Sequence, residues 1–64
     1  MILEKYKFCI ASKSFPLKFF YEGYEHDTLD DIVLRTNKEC LEEIETYDTL
    51  DNFQILPVRV TYEF

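Results

Sequence analysis

Sixty-four residues make one small domain, and a chain of this size buries only about 60% of the surface that its unfolded form exposes. Seven basic against thirteen acidic side chains, a net charge of −6, disfavour direct binding to nucleic acid or to an anionic membrane, both of which recruit Lys and Arg. Hydrophobic residues at 47% and aromatics at 17% argue for a folded chain, and no apolar run approaches the roughly 20 residues of a membrane-spanning helix.

The segment "EKYKFCIAS", residues 4–12, alternates. Tyr6, Phe8 and Ile10 fall on one face, and Lys5, Lys7, Cys9 and Ala11 on the other, which is the period of a strand. "KSFP" reads as a turn, and "LKFFYEGYE", residues 17–25, as a second strand. The short connection predicts an antiparallel hairpin. Gly23 near the end of that strand predicts a bulge or a bend. Leu17, Phe19 and Tyr21 share one face of it; Phe20, Glu22 and Tyr24 share the other.

Thr28 followed by Asp31 is an acidic variant of the capping box, and Thr36 followed by Glu39 is a second start signal. Leu29, Ile32 and Val33, then Cys40, Leu41, Ile44 and Tyr47, follow helical spacing. The pattern allows one helix of about five turns or two shorter ones; the capping preference of Thr36 and Asn37 favours two. "YDTLDN" ends the helical part. "FQILPVRVTYEF" is the last strand, with Leu56, Val58, Val60, Tyr62 and Phe64 on one face. Pro57 lacks a donor, which argues for an edge position or for the first residues of the strand.

The expected architecture is therefore α+β: a three-stranded antiparallel sheet, β-β-α-β in order 2-1-3, with one long or two short helices on one face. The second strand is apolar on both sides. A single helical layer covers one side, so the other is expected to meet a second subunit, a partner or water.

The residues offer little catalytic chemistry. One histidine, His26, reads as a surface turn residue, and no motif joins it to Ser12, Ser14, Cys9 or Cys40. A single glycine excludes a glycine-rich phosphate loop. "DTLDD" lacks the ligand spacing and turn glycine of a calcium loop. With no Cys-x-x-Cys, neither a structural zinc nor any other metal or cofactor is expected. Cys9 and Cys40 lie in separate apolar runs with no export signal in view, so both are expected as reduced core residues of a cytosolic protein.

What the composition does offer is an adjacency. "KFFYEGYEHDTLDD", residues 18–31, sets Phe19, Phe20, Tyr21 and Tyr24 beside Glu22, Glu25, Asp27, Asp30 and Asp31. A core accounts for half of the aromatics, and a helix N-terminus accounts for Asp27, Asp30 and Asp31. The remainder is an apolar patch rimmed by acids. Such a surface complements a protein that carries a basic DNA groove and an apolar DNA-probing side chain.

These residues resemble the small dimeric uracil-DNA glycosylase inhibitors of Bacillus podophages, which are DNA mimics. The resemblance lies in Tyr6, in Lys18-x-Phe20-Tyr21-Glu22, in Thr28-Leu29-x-Asp31, and in "ILPVRV" at residues 55–60; about a dozen extra residues, 37–48, separate the blocks. It implies three antiparallel strands plus helix, and a homodimer. It also implies no catalysis, but an apolar pocket that sequesters the leucine which a bacterial uracil-DNA glycosylase inserts into the minor groove, in the host cytoplasm. Carried over by position, Glu22 is a phosphate-mimicking carboxylate, Tyr21 supports the pocket, and Ile32 and Val33 line it. Ile32 stands where the family has phenylalanine, Thr36 where it has tyrosine, and Val33 where it has an acid. The partner-binding residues expected are thus Tyr21, Glu22, Tyr24, Glu25, Asp27, Asp30, Asp31, Ile32, Val33 and Thr36. The competing readings are a DNA-mimic inhibitor of another DNA-binding enzyme, of the anti-CRISPR or anti-restriction kind, and a protein-interaction dimer with no mimicry. The helical segment is the expected dimer surface, with the open sheet face second.

Overall fold

The computed structural model describes residues 1–48 and 51–64. Thr49 and Leu50, in the stretch expected to end the helical part, lie outside the described residues. The chain is α+β, with an antiparallel sheet and, among the described residues, one α-helix. In order along the chain come β1 (Ile2–Ser12), β2 (Phe19–Tyr21), β3 (Tyr24–His26), a 3₁₀ turn (Leu29–Asp31), α1 (Asn37–Tyr47) and β4 (Phe53–Glu63). The sheet order is β3-β2-β1-β4, with four strands where three were expected.

The extra strand arises at Glu22 and Gly23, whose φ values are 50° and 88°. Two successive positive φ values make the tight primed turn that suits the twist of a hairpin, so the expected second strand folds back on itself and Tyr21 pairs with Tyr24. Glycine is needed there twice over. A Cβ on Gly23 would also sit 3.0 Å from the Tyr47 ring. His26 accordingly belongs to β3 and is half-buried, not a surface turn residue.

β1 and β4 form a ribbon in register from Ile2 opposite Glu63 to Ser12 opposite Phe53. β4 is an edge strand, as Pro57 requires. The orientation of the peptide groups follows from three bonds. Phe8 exchanges amide and carbonyl with Arg35, at 2.7 and 2.9 Å, and the Ser12 amide donates to Lys18 O at 2.8 Å. Even-numbered residues of β1 therefore point their backbone groups away from β4, and odd-numbered ones toward it. Pro57 lies opposite Phe8, so its donorless nitrogen faces the open edge, where it interrupts any added strand.

The core has two halves, one on each face of the sheet. Ile10, Phe20 and Phe53 meet Cys40 and Ile44 of α1, with Phe8 and Ile55 alongside. On the opposite face Cys9, Ala11 and Phe19 meet Ile32, with Leu34, Tyr21, Leu56 and Val58 packed against them. Each large side chain removed from water here contributes roughly 1.5–3 kcal/mol. The second face is thus not left for a partner along its whole length. The connection between β3 and α1 crosses it and seals the half nearest β2, while the far half of the ribbon stays open.

The second capping signal is realised in full. The Thr36 hydroxyl accepts from the Glu39 amide at 3.2 Å, and Glu39 Oε1 accepts from the Thr36 amide at 3.2 Å. The Thr36 amide and hydroxyl both donate to Glu39 Oε1, the hydroxyl at 3.0 Å, and these two bonds hold the Glu39 carboxyl below its ordinary pKa. The first signal yields only the 3₁₀ turn: Thr28 Oγ1 donates to Asp31 Oδ2 at 3.0 Å and caps no amide. Both cysteines are buried and free, in opposite halves of the core. Burial pushes both thiols above their usual pKa. Protein purified without reductant should therefore titrate as two thiols per chain after denaturation and react slowly while folded; an absence of thiols in the denatured sample would contradict this packing.

Candidate partner-binding surface

The turn at Glu22 and Gly23 decides what residues 21–33 present. Pairing of Tyr21 with Tyr24 puts both rings on one face of the hairpin. Tyr21 is half-buried: the Arg35 guanidinium lies 4.7 Å from its ring centroid and the His26 ring meets it edge-on at 6.3 Å. Tyr24 is 74% exposed. Tyr21 is thus packed into the fold, and Tyr24 is the exposed aromatic of the hairpin.

The acids divide in the same way. Glu22, Glu25, Asp30 and Asp31 are exposed, and none of them forms an ion pair among the described residues. Asp27 is different, because Lys18 across the hairpin pairs with it. Hydrogen bonding to the Lys18 ammonium and its charge hold the Asp27 carboxyl below its ordinary pKa, and Lys18 is raised by the same contact. Both groups are exposed, so the pair contributes little to stability.

The two pocket positions separate. Ile32 is 9% exposed and belongs to the core, whereas its neighbour Val33 is 59% exposed. Strand-like backbone at Ile32, φ −124° and ψ 163°, in place of the expected helical spacing, points consecutive residues to opposite sides. Thr36 is occupied as the N-cap of α1. An open cavity of 570 Å³ is lined by Ser12, Lys13, Phe15, Lys18, Glu25 and Asp51 among others, and a smaller one of 160 Å³ by Tyr6, Lys7, Leu34, Arg35, Thr36 and Glu39. Tyr21, Ile32 and Val33 line neither of these two cavities.

One element of the site left no trace in the spacing of residues. Arg35 donates to Glu43 Oε1 at 2.6 Å, with side-chain exposures of 14% and 8%. The same oxygen accepts from the Glu22 amide at 3.1 Å. Burial works against the Arg35 charge, but the Glu43 hydrogen bond and charge more than offset it, and the guanidinium pKa is raised. This pair ties the Glu22 turn, the crossing segment and α1 together, and places Arg35 on the Tyr21 ring. Among the described residues no cluster of three or more metal-ligating side chains occurs, and no helix is long and apolar enough to cross a membrane.

No family model, curated protein or solved structure matches this chain.

Proposed function

We propose that this chain is a non-catalytic inhibitor of a bacterial uracil-DNA glycosylase that acts as a DNA mimic in the host cytoplasm. The observation that carries the reading is the composition of the surface of residues 21–33. Tyr24 and Val33 are exposed in the same segment as the carboxylates of Glu22, Asp30 and Asp31, none of which forms an ion pair among the described residues; Glu25, opposite Phe20, lies on the other face of the hairpin and extends the acidic rim there. A DNA-repair glycosylase must hold cations along its groove for phosphates and support an extruded base with an apolar wedge. The carboxylates meet the first requirement and the apolar side chains the second. Ile32 acts only by shaping the backbone beneath Val33. In this reading the active form is a homodimer, as the family resemblance implies, and the second subunit completes the pocket around Val33.

The test is uracil excision from DNA with the purified protein in molar excess. Excision is expected to stop. Asp30→Lys should slow association several-fold and flatten its salt dependence, because exposed charges act mainly on encounter. Normal excision by bacterial uracil-DNA glycosylases would exclude this target. Protection of DNA against a restriction or CRISPR nuclease would then assign the same surface to another DNA-binding enzyme.

A further inference from the structure

The far half of the β1–β4 ribbon has two edges, and they differ. Along β4 the outward peptide groups belong to the odd-numbered residues, and Pro57 breaks that row. Along β1 the outward groups belong to Ile2, Glu4 and Tyr6, and no described segment pairs with them. β2 reaches only Ile10 and Ala11, and the Arg35 bridge stops at Phe8. This stretch carries no proline, no bulge and no covering loop, the devices by which edge strands are kept from pairing. All of residues 1–7 are exposed.

We propose that this edge is the subunit interface: β1 of a second copy pairs with it antiparallel about a two-fold axis at Leu3. The parity of the peptide groups allows even-numbered residues to face even-numbered ones, which leaves three central registers. Glu4 opposite Glu4 sets two like charges against each other. Glu4 opposite Tyr6 does the same to Lys5 and Lys5. Directly opposed like charges destabilise a strand pair. Ile2 opposite Glu4 avoids both and places Leu3 against Leu3 of the second copy.

That register also joins the apolar rows. Leu3 lies opposite Tyr62 within the chain, and Lys5 opposite Val60. Across the axis the row becomes Tyr62, Leu3, Leu3, Tyr62. The adjoining row runs Val60, Lys5, then Met1 and Phe64 of the second copy. Leu3 and Tyr62 are 41% and 37% exposed in one chain, and each gains an apolar neighbour. The alternative interface, the outer face of α1, exposes Glu39, Glu42 and Glu45 against one lysine, Lys38, and two such faces repel. The assembly deepens the homodimer of the proposed function but does not depend on its target, since it is read without the glycosylase.

Site-directed crosslinking tests it. Leu3 and its mate form a non-hydrogen-bonded pair with Cα atoms about 4.5 Å apart, within the roughly 4.4–6.8 Å range of a disulfide. Leu3→Cys should yield a covalent dimer under mild oxidation. Lys5→Cys and the unmodified chain, whose own thiols are buried, should not. Glu4→Pro removes an outward donor and leaves the bonds to β4 intact, so it should weaken the dimer at least tenfold in sedimentation with unchanged circular dichroism. A monomeric unmodified chain at high micromolar concentration, a Leu3→Cys protein that does not crosslink, or equal crosslinking through Lys5→Cys would each overturn the proposal. None of these readouts involves uracil excision, so failure here and failure of the glycosylase reading are distinguishable.

Discussion

Glu43→Ala should remove about 3–5 kcal/mol of folding stability, which is most of what a domain of this size has. The carboxylate is 8% exposed and accepts from both the Arg35 guanidinium and the Glu22 amide. Truncation leaves Arg35 charged and nearly buried, without its hydrogen-bonded carboxylate partner, and it leaves a turn amide without its acceptor. The favourable comparison is the double replacement Arg35→Met with Glu43→Leu. Arg35 Nε and Glu43 Oε2 are buried without a protein partner, so the pair is incompletely satisfied and an apolar substitute of similar volume recovers much of the loss. Urea unfolding followed by circular dichroism measures both proteins. A loss below about 1 kcal/mol for Glu43→Ala would show that the pair is solvated in solution.

Ile32→Asp should unfold the chain, not merely abolish partner binding. It places a carboxylate among the apolar side chains of Cys9, Ala11 and Phe19, a change that removes upwards of about 3 kcal/mol. Val33→Asp is the discriminating substitution. At 59% exposure it should alter stability by no more than about 0.5 kcal/mol, and in the proposed function it should lower inhibition of uracil excision at least tenfold. The expected pattern is thus loss of cooperative unfolding for Ile32→Asp and a native unfolding curve with impaired inhibition for Val33→Asp. A stable Ile32→Asp protein would mean that the crossing segment does not seal the sheet. A stable Val33→Asp protein with full inhibition would remove Val33 from the contact surface.

The sequence by itself determined the α+β class, the alternation of β1 and β4, the N-cap at Thr36 and the edge position of β4. Each of these rests on residues adjacent in the chain or on one side chain: period-two hydrophobicity, a Thr-x-x-Glu box, a proline without a donor. It also marked Gly23 as a bend, but Glu-Gly is a weaker turn signal than Asn-Gly, and the reversal that adds β3 and sets Tyr24 beside Tyr21 was not legible. Tertiary structure decided the rest. Ile32 and Val33 share a helical stripe on paper, yet the crossing segment is extended there, so one enters the core and the other faces out. Arg35 and Glu43 read as two charges among many. Only the path of the 28–36 connection over the second sheet face brings them together beneath the Glu22 turn, and a contact between separate elements has no spacing that a pattern along the chain can reveal.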